Sequence, residues 1–191
     1  MANSRIDSWS IDKIQCSEWS YSGNVADVWA SNWANDLISF SMSLHPDGFS
    51  VTYNFEVDFY SEVLHPYEAQ EIVESHILGQ AEQALESWWN DLSEARDFAK
   101  SKQTQMTRGL PAEDSFYAAV AYLYKLRAQM QPLMVTQLLS QDMSVPTTTI
   151  NERIRKAREK ELLTSPGKGM NGQSEMTNKA IKLLKMEGLI K

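Results

Sequence analysis

Hydrophobic and polar residues alternate with period two between residues 38 and 59. The apolar members of this pattern are Ile38, Phe40, Met42, Leu44, Phe49, Val51, Tyr53, Phe55, Val57 and Phe59. Period two places successive side chains on opposite faces of a strand, and Pro46-Asp47-Gly48 in the middle favours a turn. The pattern predicts a β-hairpin with one apolar face. The segments SIDKIQCSEWSY and ADVWASNW upstream alternate less regularly, and we expect them to add one or two strands to the same sheet.

Beyond Pro66 the spacing of apolar residues becomes helical. The repeating positions are Ile77, Ala81, Ala84, Leu85, Trp88, Leu92, Ala95 and Ala99. Acidic residues lie between them, so the pattern predicts a long amphipathic helix that covers the apolar face of the hairpin. We expect Gly79 to divide it into a short first helix and a longer second one.

Residues 101–114 lose the helical pattern and contain Gly109-Leu110-Pro111, which predicts a linker. Helical signals then return over residues 115–130 and 136–142, and a third helix begins at Pro146 after a connection of about three residues. Residues 164–176 read as a glycine-rich hairpin, and Thr177 can cap a last helix that stops at Gly188. The expected fold class is α+β, with domains at residues 1–100 and 115–191.

Charge divides the chain in nearly the same place. Residues 1–100 hold four Lys and Arg against 17 Asp and Glu, whereas residues 101–191 hold 14 against eight, within a total net charge of −7. The net charges of the two halves have opposite signs, and this asymmetry predicts that the positive second half faces nucleic acid or another polyanion. The single cysteine, Cys16, excludes an internal disulfide, and no window reaches the roughly 18 apolar residues of a membrane span. We therefore expect a cytoplasmic protein with no membrane partner.

The basic stretch from residue 146 to residue 160 is the main candidate for a binding site. A helical wheel places Ile150, Ile154 and Ala157 on one side, and Thr148, Glu152 and Arg155 on the other. Short polar side chains at the start of such a helix fit the major groove of DNA, and cations further along neutralise phosphates. The candidate DNA-binding residues are Thr147, Thr148, Thr149, Asn151, Arg153, Arg155, Lys156 and Lys168. Arg158 and Lys160 add positive charge, while Glu152 either accepts from a cytosine amino group or repels phosphate.

Residues 135–163, VTQLLSQDMSVPTTTINERIRKAREKELL, resemble a helix-turn-helix, and the continuation to Leu184 resembles its winged form. The whole chain is similar to actinobacterial and actinophage proteins that end in such a module. In that pattern glycine usually stands in the turn and serine opens the recognition helix, where this chain has Ser144 and Pro146. The resemblance implies DNA binding by Thr147, Thr148, Asn151, Arg153 and Arg155.

Signals for other chemistry are weak, so we expect neither an enzyme nor a cofactor. The segment GKGMNGQS has the spacing of a phosphate-binding loop, but Gln173 stands where that motif requires lysine. His45, His65 and His76 do not form a short-spaced pair of metal ligands, and no catalytic residue is assigned.

Two functions from different classes follow. The first is a DNA-binding transcriptional regulator whose C-terminal winged module reads double-stranded DNA, while the acidic N-terminal domain forms a homodimer or meets a protein partner. The alternative is an interaction protein, a phage or mobile-element accessory, in which the winged module docks on another protein.

Overall fold

The computed structural model describes residues 9–20, 23–31, 37–44, 51–59, 66–105, 112–165 and 174–190. An antiparallel sheet is followed by helices, which confirms the predicted α+β class at this level. The chain divides into two compact units, Met1–Trp89 and Asn90–Lys191. The division falls inside a long helix. The linker expected at residues 101–114 is wrong for residues 101–104, which belong to that helix, and residues 106–111 lie outside the described residues.

The first unit contains a sheet of consecutive antiparallel strands: β1 (Ser10–Ser20), β2 (Gly23–Ser31), β3 (Leu37–Leu44) and β4 (Val51–Phe59). The predicted pairing of β3 with β4 is confirmed, and the two irregular upstream segments are further strands of the same sheet. The predicted turn between β3 and β4 lies outside the described residues.

One face of β2 and β3 is buried. Their register sets Val28 opposite Phe40, and the buried residues of the pair are Ala26, Val28, Ala30, Ile38, Phe40 and Met42. Directly opposite residues of an antiparallel pair share a face, so these side chains form one apolar layer. On the other face Ser41 pairs with Asp27 and donates a hydrogen bond to its Oδ1 at 2.7 Å.

The helical segment after the sheet consists of α1 (Pro66–Ile72), a π-helical turn (Val73–Ile77) and α2 (Leu78–Thr104). The expected break at Gly79 is wrong, because Gly79 is helical and the irregularity is the wider turn just before it. Ala84, expected on the apolar face, is exposed. The buried stripe consists of Ala69, Ile72, Val73, Ile77, Leu78, Ala81, Leu85, Trp88, Leu92, Ala95 and Ala99. Within the first unit α1 contacts β4.

The second unit is built around a central helix. The helices that follow α2 are α3 (Asp114–Met130), α4 (Val135–Met143), α5 (Thr147–Glu159) and α6 (Asn178–Met186). The central helix is α3, which contacts α4, α5 and α6 and is buried continuously from Ser115 to Tyr124. The helices predicted in this region are confirmed to within one or two residues.

A buried ion pair joins α3 to α4. Arg127 donates through Nε and Nη2 to the two carboxylate oxygens of Asp142, at 2.8 and 2.6 Å. Both side chains are only 6% exposed. A buried charge is stable only when it is paired and hydrogen-bonded, so this contact strongly favours the observed arrangement of the two helices.

Three helices of this unit end in the same way. Ser144, Glu161 and Gly188 have positive φ angles of 52°, 59° and 75° after α4, α5 and α6. In each case the residue and its successor donate N–H hydrogen bonds to carbonyls of the last helical turn, which is a common left-handed helix stop. The predicted stop at Gly188 is confirmed, and serine adopts in the α4–α5 turn the conformation usual for glycine.

The segment between α5 and α6 begins and ends as a hairpin does. Leu163 forms an antiparallel bridge with Met176, and Thr164 N donates to the carbonyl oxygen of Glu175 at 2.9 Å. Residues 166–173, with the rest of the predicted hairpin, lie outside the described residues. The predicted cap is confirmed, since Thr177 Oγ1 accepts from Ala180 N at 3.3 Å.

Candidate nucleic-acid interface

The helix α5 has two distinct faces. Ile150, Ile154 and Ala157 are buried, and the helix packs against α3 and α4 through this side. The opposite face carries the exposed residues Thr147, Thr148, Asn151, Glu152, Arg155 and Glu159. Four of the eight predicted binding residues, Thr147, Thr148, Asn151 and Arg155, therefore share one exposed surface.

The first turn of α5 has no side-chain cap. Pro146 occupies the N-cap position in an extended conformation and has no side chain that can cap the turn, while its carbonyl oxygen accepts from Thr149 N and Ile150 N at 3.0 and 3.2 Å. The leading N–H groups of a helix have no partner within it, and together with the helix dipole they attract anions. In α5 these groups lie beside the exposed hydroxyls of Thr147 and Thr148, so the helix start offers donors to an incoming acceptor.

The exposed cations of α5 are compensated by neighbouring carboxylates. Arg155 donates to both oxygens of Glu152 at 2.8 and 2.6 Å and also pairs with Glu159. Lys156 Nζ lies 3.7 Å from Glu152 Oε1. The hydrogen bond from Arg155 lowers the pKa of the Glu152 carboxyl, and Glu152 in turn raises the pKa of Arg155. Glu152, Arg155, Lys156 and Glu159 thus form a surface cluster with no net charge.

Arg153 does not belong to this exposed surface. Its Nη1 donates to Gln103 Oε1 at 2.8 Å and contacts Met143 Sδ at 3.6 Å. Its guanidinium carbon lies 5.1 Å from the centre of the Phe116 ring, a cation–π arrangement. Burial lowers the pKa of Arg153. Its guanidinium is therefore engaged within the unit by Gln103, Met143 and the Phe116 ring.

The cations at the end of α5 also have internal partners. Lys160 Nζ lies 2.6 Å from Asp114 Oδ1, and Arg158 Nη2 donates to Ser174 Oγ at 3.1 Å. Lys179 Nζ donates to the carbonyl oxygen of Lys160 at 2.9 Å. These contacts join the end of α5 to α3 and α6. Lys168, the remaining candidate, lies outside the described residues.

Sequence reasoning missed a cleft between α3 and α5. It has a volume of about 340 Å³ and is lined by Phe116, Tyr117, Thr148, Thr149, Glu152, Arg153 and Lys156. Phe116 and Tyr117 contribute an aromatic wall, with ring centres 5.2 Å apart in an edge-to-face arrangement. The apolar spacing of α3 indicated Phe116 only as a core position, and no signal placed it beside α5.

A second cavity, of about 420 Å³, lies at the start of α4. Its lining residues are Tyr124, Pro132, Leu133, Met134, Val135, Thr136, Gln137 and Thr147. Leu133 is 90% exposed and gives this cavity an apolar edge. Thr147 borders this cavity, and Thr148 and Thr149 border the cleft between α3 and α5.

Comparison with protein-family models, curated proteins and solved structures finds no match for this chain. The described residues include no cluster of three or more His, Cys, Asp or Glu side chains that could hold a metal ion. Across the same parts of the chain, no helix combines the length and apolar character needed to cross a bilayer.

Proposed function

We propose that the C-terminal unit binds double-stranded DNA as a winged helix-turn-helix, with α5 in the major groove, and that the protein is a transcriptional regulator. The supporting observation is the arrangement of α4, the short turn through Ser144 and α5, whose exposed N-terminal end carries Thr147, Thr148 and Asn151. Recognition helices contact base edges with their N-terminal residues, and short polar side chains allow the close approach that this requires.

The uncapped first turn of α5 adds a phosphate contact to this proposal. Free N–H groups and the positive end of the helix dipole stabilise a phosphate oxygen, and Thr147 can donate its hydroxyl to the same group. The segment closed by the Leu163–Met176 bridge is proposed to act as the wing, with Lys168 as a further phosphate contact. Arg155 exchanges its contact with Glu159 for a phosphate oxygen and keeps Glu152, and Lys156 exchanges its longer contact with Glu152.

The modest affinity expected of a single small module for DNA favours binding by more than one copy. A single small DNA-binding module buries about 600–1,000 Å² and binds modestly, whereas a symmetric dimer doubles the contacts. We propose a homodimer on two half-sites, with the acidic N-terminal unit as the dimerisation domain or as the contact for a protein partner. The expected half-site spacing is about 34 Å, one turn of the duplex, or a multiple of it.

The test is fluorescence anisotropy with random duplexes and with duplexes from the region upstream of the protein's own gene, at about 50 and about 200 mM salt. Thr148→Ala and Asn151→Ala should each weaken selective binding by about five- to tenfold, because they remove donors and acceptors from base edges. Asn90→Ala is the matched control, since Asn90 is also an exposed helical asparagine but belongs to α2. Absence of salt-sensitive binding to any duplex would contradict the proposal.

A protein-docking function is the second candidate. Two observations favour it: the charges of Arg155 and Lys156 are compensated by glutamates, and Leu133 exposes apolar surface near the start of α5. Charge-neutral polar surfaces beside exposed apolar side chains suit protein partners better than phosphate backbones. Capture of one protein from a lysate that fails with Leu133→Asp, together with no duplex binding, would favour this candidate.

A further inference from the structure

Glu152 has an unusual position among the exposed residues of α5. It lies one turn after Thr148 and directly after Asn151, within the surface proposed to face the bases. Arg155 donates to both of its carboxylate oxygens, and Lys156 lies 3.7 Å away on the next turn. These contacts favour one orientation of the Glu152 carboxylate beside the helix.

The chemistry of a carboxylate restricts what it can meet in the major groove. Its pKa is lowered by the hydrogen bond from Arg155, so the group is ionised and can only accept hydrogen bonds. Guanine presents acceptors in the groove and thymine presents an acceptor and a methyl group, so both repel or exclude it. Adenine has one amino donor beside the N7 acceptor, whereas cytosine has the amino donor without that neighbour.

Building on the proposed function, we propose that Glu152 is a specificity-determining residue that selects cytosine at one position of the DNA site. The carboxylate accepts a hydrogen bond from the cytosine amino group and disfavours the other bases at that position. It also repels phosphate, so it lowers affinity for sequences that offer no such donor. Arg155 is the positioning residue, because it orients the carboxylate and offsets part of its charge.

Glu159 provides a matched control on the same helix. It pairs with the same arginine and carries the same charge, but it lies two turns further from the N-terminal end of α5. Glu152→Gln and Glu159→Gln therefore remove one negative charge each and keep a side chain of similar size. Both residues are exposed, so both variants should retain the thermal unfolding curve of the wild type.

The experiment selects bound sequences from a pool of randomised 20-base-pair duplexes (about two helical turns), in parallel for the wild type and the two variants. The wild type should enrich a C·G pair at one position that Glu152→Gln no longer enriches, with a loss of discrimination of about fivefold or more. Glu159→Gln should retain that preference. Both variants should bind the unselected pool about threefold more tightly at 50 mM salt, because each loses a charge that repels phosphate.

The outcomes separate this inference from the function on which it rests. If the wild type neither binds nor enriches any duplex, the proposed DNA binding is overturned and the role of Glu152 with it. If the wild type enriches a sequence and Glu152→Gln enriches the same one, only the role of Glu152 is overturned. Equal loss of preference in both variants would show a general charge effect and would also overturn base selection by Glu152.

Discussion

The helices α3 and α5 use the same kinds of polar residue in opposite ways. On α3, Arg127 is buried and paired with Asp142, and the buried Tyr122 forms a hydrogen bond with Asp91. On α5, Arg155 and its glutamate partners are about half exposed. A charged pair inside the unit fixes how helices pack, whereas a pair on the surface can exchange its partners for a ligand at little cost.

Arg153 is intermediate between the buried Arg127 and the exposed Arg155, and it shows what determines whether an arginine is buried or accessible. It is on the same helix as Arg155 and two residues before it, yet its guanidinium reaches Gln103 and the Phe116 ring. Its position beside the buried stripe of α5 lets the long side chain fold back over the apolar surface of α3. The neighbourhood of a residue, more than its type, therefore decides whether it stabilises the fold or remains accessible.

The largest expected effect is at the buried pair. Asp142→Ala should lower the free energy of unfolding by about 3–5 kcal/mol, because it leaves Arg127 buried without its carboxylate. Urea denaturation followed by circular dichroism measures this change. Glu159→Ala is the control on α5 and should change stability only slightly. Similar losses for both variants would contradict the contrast between the two helices.

The second test uses pH. Burial raises the pKa of the Tyr122 phenol to about 12, with a further contribution from Asp91. Below pH 10 the phenol is protonated in both states, but between about 10 and 12 only the unfolded chain loses the proton, so stability falls as pH rises through this window. Tyr122→Phe should lose less stability than the wild type between pH 9 and pH 11.5. Equal losses of stability in the wild type and in Tyr122→Phe would show that the phenol of Tyr122 ionises at the same pH in the folded and the unfolded chain.

The third test separates the two arginines of α5. Arg153→Ala should destabilise the protein by about 1–2 kcal/mol, because it removes the hydrogen bond to Gln103 and the packing on Phe116. Arg155→Ala should leave the unfolding transition nearly unchanged and weaken duplex binding severalfold. Thermal unfolding and anisotropy on the same samples measure both properties. If Arg153→Ala weakened duplex binding and Arg155→Ala lowered stability, Arg153 would be the accessible cation.

The smallest expected effect concerns the turn before α5. Ser144 has a φ of 52°, which strains any residue with a Cβ atom. Ser144→Gly should stabilise the protein by about 0.5–1 kcal/mol and leave duplex binding unchanged. Ser144→Val should destabilise it, because a β-branched side chain tolerates this conformation poorly. A destabilising glycine would show that the serine side chain supports the turn.

Regular strands and helix faces could be predicted from the sequence, and local exceptions could not. The hairpin of β3 and β4 follows from strict alternation. Against β2, strand β1 shifts register between Ile11 and Lys13 and between Cys16 and Glu18, which breaks period two and explains the weaker signal of β1. The π-helical turn near Gly79 has no residue signature comparable to glycine, so the irregularity was expected at the wrong place.

The candidate site was predictable only in part, because helix periodicity indicates which side chains face outward but not which distant residues they contact. A helical wheel indicates which side of α5 faces outward, and it places Thr148 and Asn151 correctly among the exposed residues. It cannot show that Arg153 reaches Gln103, which lies 50 positions away in the sequence. Nor can it show the cleft beside Phe116, because α3 is buried almost all round and its periodicity defines no single inner face.

The neutral cluster on α5 also affects the rate at which a complex would form. Beyond a screening length of about 8 Å, Glu152, Arg155, Lys156 and Glu159 together exert almost no attraction on a polyanion. The cluster itself would then add little electrostatic steering to association through this face. Correct and incorrect sequences would be encountered equally fast, and α5 would distinguish them by the lifetime of the complex.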